Sequence, residues 1–160
     1  MKKLFIAALA TLTVIAGCAT SRTETRSGAP LARQLTASNH CGLTAPGLVY
    51  LSTPAGVRHL ADLSGQTLAL GPLEQLDFSR EHLVLVALGQ KPTGGYGVTL
   101  AQAVIESGEL RLTVSVHQPE PGTMVTQALT TPCAVVAVTA DDWRKLVVSG
   151  PEFGPLTHAR

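Results

Sequence analysis

Two kinds of hydrophobic pattern follow one another between Leu83 and Val116, and together they point to a mainly β chain. Leu83-Val84-Leu85-Val86-Ala87-Leu88 is an unbroken apolar run that stops at Gly89. A run of that length and composition reads as a buried strand. Leu110, Leu112, Val114 and Val116 instead alternate with Arg111, Thr113 and Ser115, the period of a strand with one face in water. Between them, Gln90 to Gly95 is a strong turn signal, a strand is expected over about Tyr96 to Ile105, and Ser107-Gly108 marks a hairpin.

The remaining segments agree with this reading. Leu48 to Leu51 is a short strand candidate, as are Val125 to Leu129, Cys133 to Val138 and Leu146 to Val148. Ser52 or Thr53 can cap a helix with Pro54 in its first turn. Val57, Leu60, Ala61 and Leu63 lie at buriable spacings, and Gly65 would stop it. Thr67 to Leu76 is ambiguous, because Gly71-Pro72 breaks it. Thr139 with Asp142 could cap a helical turn through Trp143. The expected fold is mainly β, an antiparallel sheet or sandwich-like arrangement with one or two short helices, in a single domain over residues 39–160.

The N-terminus reads as an address. Met1-Lys2-Lys3 precedes an apolar run from Leu4 to Ile15, then Ala16-Gly17 and Cys18. A basic start, a short apolar core and small residues before a cut form a secretory signal. The run is shorter than the roughly 18–25 residues a membrane-spanning helix needs, and Thr11 and Thr13 interrupt it. The cysteine after the small pair makes residues 1–17 resemble the signal peptide of bacterial lipoproteins. That resemblance implies lipidation of Cys18, removal of the peptide before it, and membrane attachment through the acyl chains. Ala19 rather than Asp after the cysteine resembles the outer-membrane sorting case. Residues 18–38, rich in Thr, Ser and Arg, read as the lipidated cysteine and a flexible tether holding the domain roughly 25 Å from its anchor.

Export sets the meaning of charge and cysteine count. The chain has 12 Lys and Arg against 11 Asp and Glu; losing Lys2 and Lys3 leaves 10 against 11, net −1. A near-neutral, aromatic-poor surface argues against a nucleic-acid partner. With Cys18 assigned to lipid, Cys41 and Cys133 remain as an even pair in an oxidising compartment, which reads as a disulfide. Closing so long a loop would contribute about 4–5 kcal/mol in the chain-entropy treatment.

Lys91-Pro92-Thr93-Gly94-Gly95-Tyr96 stands out chemically. Pro92 stiffens the approach, and the two glycines permit positive φ and close backbone contact. The segment reads either as a shaped loop presenting Thr93 and Tyr96 to a partner or as a tight bend between strands. It makes a poor phosphate cradle, since the lysine precedes the glycines.

From GQKPTGGYGVTL through the alternating strand to HQPEPGTMVTQALTTPCAVVAV, the chain resembles the C-terminal domain of the PrcB family. The matching pieces are Gly89, Lys91 to Tyr96, Pro119, Pro121, Gly122, Thr130, Pro132 and Val135-Val136, spanning roughly Leu83 to Val148. The resemblance implies a lipoprotein that accompanies a surface protease complex and has no known chemistry of its own. The family often carries an aromatic residue after Pro132, where Cys133 stands here; this weakens transfer of an interface role to that position. The same loop is loosely similar to the Asn-Pro-Thr-Thr-Gly-(Tyr/Phe) loop of chagasin-type cysteine protease inhibitors, which would imply insertion into a protease cleft.

Enzyme readings are weaker. Cys41 follows His40, but side chains adjacent on a strand diverge, and no oriented base can be argued for a thiol enzyme. His40, His59, His82, His117 and His158 lack zinc-ligand spacing. Asp141-Asp142 before Arg144-Lys145 reads as a solvated turn, and Trp143 as a core or rim residue or an exposed anchor. The expectation is a non-catalytic accessory subunit of the bacterial cell envelope, without metal or cofactor, meeting the membrane through its lipid and an envelope or surface protease through Lys91 to Tyr96 and Pro119 to Met124, including Pro121 and Gly122.

Overall fold

A computed structural model of the chain describes residues 30–160 apart from residue 152. The signal peptide, Cys18 and the first part of the tether lie outside the described residues. Eight strands form two four-stranded sheets. The first sheet has the order β1 (Ala32–Ser38), β6 (Cys133–Thr139), β3 (Glu81–Leu88), β2 (Pro46–Leu51), every pair antiparallel. The second has the order β4 (Gly97–Glu106), β5 (Glu109–His117), β7 (Lys145–Gly150), β8 (Phe153–Ala159). Its β5–β7 pair is parallel and the other two are antiparallel.

The two strand patterns follow from a three-layer stack. Val84, Val86 and Leu88 of β3, with Ala134, Val136 and Val138 of β6, face the second sheet and meet Leu110, Leu112 and Val114 of β5. The alternate residues Leu83, Leu85, Ala87, Val135 and Ala137 face the opposite way, under the helices with Val57, Leu60 and Leu73. The central strands of the first sheet are therefore covered twice and read as continuous apolar runs. β5 has water on its outer face, where Arg111, Thr113 and Ser115 are exposed.

The helical layer forms where the capping signals stand. α1 (Pro54–His59) starts from Thr53, whose Oγ1 accepts a hydrogen bond from Gly56 N at 3.2 Å, and continues as a 3-10 turn over Leu60–Asp62. The ambiguous stretch contains α2 (Leu70–Glu74). Gly71-Pro72 does not break it, because both fall in the first turn, where backbone N–H groups have no intrahelical acceptor.

Five expectations are corrected. Residues 32–38 are not tether: they form β1, paired to β6 from Ala32↔Val138 to Ser38↔Cys133. An edge strand needs only backbone bonds on one side, so its weak side-chain pattern hid it. The described chain joins the fold at Leu31, which is buried. Val125 to Leu129 is not a strand, because Thr126 O takes a single bond from Gly94 N and no ladder continues from it. No helical turn forms at Thr139–Trp143; Asp142 takes φ 72°, and Asp141 N bonds to Thr139 Oγ1 at 3.4 Å instead. β8 was missed behind Gly154 and Pro155, which an edge strand tolerates. The parallel β5–β7 pairing was also unexpected. It needs Gly150, where a Cβ would stand 2.0 Å from Val114 O.

Cys41 and Cys133 form a disulfide, with Cα atoms 6.1 Å apart and a sequence separation of 92. The bridge lies in the core under the helical layer and ties the segment before β2 to the first residue of β6.

Candidate functional site

The loop leaving β3 is clamped at both ends. Lys91 N donates to Thr130 O at 2.8 Å and Thr130 N donates back to Lys91 O at 3.0 Å. Thr130 is buried, and its Oγ1 donates to Thr93 O at 2.8 Å. Gly94 N donates to Thr126 O at 2.9 Å. These bonds hold residues 91–94 against residues 126–130, on the far side of β4 and β5 in sequence.

Gly95 makes the packing possible. Its φ is +85°, and a Cβ there would meet Val125 Cγ1 at 3.0 Å and Pro119 Cβ at 3.1 Å. The two stretches proposed as contact surfaces, Lys91 to Tyr96 and Pro119 to Met124, are thus brought together as one surface. Thr93 does not present its hydroxyl outward, because Oγ1 bonds to Gly94 O at 3.1 Å. Tyr96 is half-buried, with the Lys91 ammonium 5.5 Å from its ring centre. Pro92, Gly95, Pro121 and Gly122 are exposed. A turn closed by Thr123 N to Glu120 O at 3.0 Å carries Pro121 and Gly122.

Met124 and Leu129 are the large apolar side chains left exposed among the described residues, at 98% and 64%. Both lie on the segment packed against the 91–96 loop. Sequence reading placed Met124 at the limit of its contact stretch but assigned Leu129 to a strand.

Beside the loop an open groove of about 590 Å³ is lined by Lys91, Pro92 and Tyr96 together with Phe153 to Leu156 of β8. Pro46, Leu88, Gln90, Val116 and Gln118 complete the lining. The β8 contribution was invisible from sequence because β8 itself was.

A second polar cluster joins the sheets at another place. Tyr50 Oη is hydrogen-bonded to His82 Nδ1, and the Tyr50 ring packs edge-on against Trp143, 5.8 Å between centres, and beside His158 at 4.4 Å. Burial lowers the His82 pKa, and the Arg160 guanidinium adds to the effect. Burial raises that of Tyr50, against the pull of Arg160. Trp143 is a core residue whose Nε1 donates to Thr139 O at 2.7 Å, with Arg160 over its ring. No buried polar side-chain atom among the described residues lacks a partner, so the cluster reads as a structural seam.

No group of three or more His, Cys, Asp or Glu among the described residues could hold a metal ion. No described helix is long and apolar enough to cross a membrane. Cys41 is fully buried and bonded to Cys133, so its sulfur is not a free thiol.

A family model described as PrcB C-terminal matches residues 83–139, from the start of β3 to the end of β6. The matched segment contains the whole clamp, and the resemblance read from the loop motif is borne out over that range. No curated protein and no solved structure matches the chain.

Proposed function

We propose, from the match of residues 83–139 to the PrcB C-terminal family model, that the chain is a lipid-anchored, non-catalytic subunit of a bacterial envelope protease complex. The family supports association with a protease complex. The lipid anchor rests on the Cys18 motif and its flanks. The surface that would engage the protease is the clamped pair of loops at Lys91–Tyr96 and Pro119–Leu129.

One observation carries the choice of surface. The two large apolar side chains exposed among the described residues, Met124 and Leu129, sit together on this segment. Exposed apolar groups on a rigid frame favour docking, since little ordering entropy is lost on binding. The family segment covers the same loops.

The clamp favours a broad docking surface over an inserted inhibitory wedge. Gly94 is buried and bonded to Thr126, and Thr93 is turned onto its own loop, so little of Pro92 to Tyr96 is left to project into a cleft. Affinity purification of the tagged full-length chain from solubilised envelopes tests the proposal. A protease should co-purify in near-stoichiometric amount and keep its activity. Its absence would remove the accessory reading, and strong inhibition of cysteine or serine proteases by the purified chain would restore the inhibitor.

A further inference from the structure

We propose that the groove between Lys91–Tyr96 and β8 holds an extended segment of the partner protein in which an Asp or Glu stands beside apolar residues. The inference deepens the docking reading above and rests on it.

The walls combine apolar side chains with polar groups, among them the Gln90 amide and the Lys91 ammonium. Pro92, Tyr96, Phe153 and Pro155 supply apolar lining, and Leu88 and Val116 belong to strands of the core. Such a lining accepts aliphatic or proline side chains, and its volume of about 590 Å³ suits a few residues. Pro155 lies within edge strand β8 and lacks the N–H that a continuous added strand would need. Recognition is therefore by side chains entering the groove, with the Gln90 amide able to exchange hydrogen bonds with a peptide backbone.

The charge in the groove is one-sided. Lys91 is the charged side chain among the described lining residues. None of the ion pairs among the described residues includes it, and its ammonium lies over the Tyr96 ring. With Lys91 half-buried and the other described lining residues uncharged, the groove favours an incoming carboxylate and disfavours a second cation. Its backbone is fixed by the bonds to Thr130, so the root of the flexible side chain stays at the groove while the ammonium rests 5.5 Å from the Tyr96 ring centre.

Selection of random dodecapeptides displayed on phage against the immobilised full-length protein, disulfide intact, tests this. Enriched peptides should carry Asp or Glu next to Leu, Ile, Val or Pro several-fold above the starting library. Lys91→Gln should lose the acidic enrichment, and Lys91→Glu should replace it with Lys or Arg; unchanged thermal unfolding confirms that both variants are folded. Enrichment blocked by Tyr96→Ala but lacking acidic bias, or keeping that bias with Lys91→Glu, would overturn the inference while leaving the docking surface in place. Peptides insensitive to both positions, enrichment of peptides copied from this chain, or no enrichment would also overturn it; co-purification of the protease tests the underlying reading separately.

Discussion

Lys91 and Thr130 exchange both of their backbone hydrogen bonds, at 2.8 and 3.0 Å, although 38 residues and a complete hairpin separate them. The exchange makes two loops into one surface. It also places the Thr130 hydroxyl under the loop, where it meets Thr93 O at 2.8 Å.

That clamp predicts a graded response to substitution. Gly95→Ala must hold a Cβ at φ +85° against Val125 and Pro119, so it should lose at least about 1–2 kcal/mol of stability. Gly97→Ala, with nothing within 4 Å of its Cβ, should change stability by less than about 0.5 kcal/mol. Thr130→Val leaves Thr93 O without its donor and should cost about 1 kcal/mol. Urea unfolding of the three variants gives the order.

The disulfide should matter most to global stability. Replacing Cys41 and Cys133 together by Ala should lower stability by about 2–5 kcal/mol, because the bridge closes a 92-residue separation within the core. Chemical denaturation with and without reductant reads this directly, and reductant should leave the double variant unaffected.

Stability should fall on mild acidification. His82 is held below its ordinary value of 6.5, first by burial and then by Arg160, with the Phe78 backbone and Asp141 opposing. The unfolded chain therefore takes up the proton first as pH falls. The contribution is complete above about pH 6.5 and is lost as pH drops through the lower folded value. Thermal unfolding between pH 7.5 and 5 should show this slope, and His82→Gln should flatten it even if its starting stability is lower.

The proposed anchor should be separable from the fold. Cys18→Ser should abolish labelling by a palmitate analogue and release the chain from membranes, while the Cys41–Cys133 bridge still forms. Membrane fractionation and nonreducing electrophoresis measure the two outcomes independently.

The parts of this fold that were legible in sequence are those whose side chains report burial. β3 and β5 announce themselves because one is covered on two faces and the other on one. Thr53 and Pro54 mark α1 because capping is local chemistry. β1 and β8 are edge strands held by backbone bonds, and Pro155 disguises the second. The loop motif was legible through Gly94 and Gly95, but its packing partner was not. Only the tertiary structure puts Val125 and Pro119 against Gly95, and it leaves Leu129 exposed where sequence reading expected a strand. The groove needs β8, so it could not be foreseen at all.

The central claim is that a protease docks on the clamped loops, and site-specific photo-crosslinking in intact cells tests it most directly. A photoreactive residue at position 96 or 124 should form a covalent adduct identified by mass as a protease. The same residue at Thr113, exposed on the outer face of β5, should not. Adducts confined to lipid and peptidoglycan neighbours, or protease adducts equal from all three positions, would contradict the account.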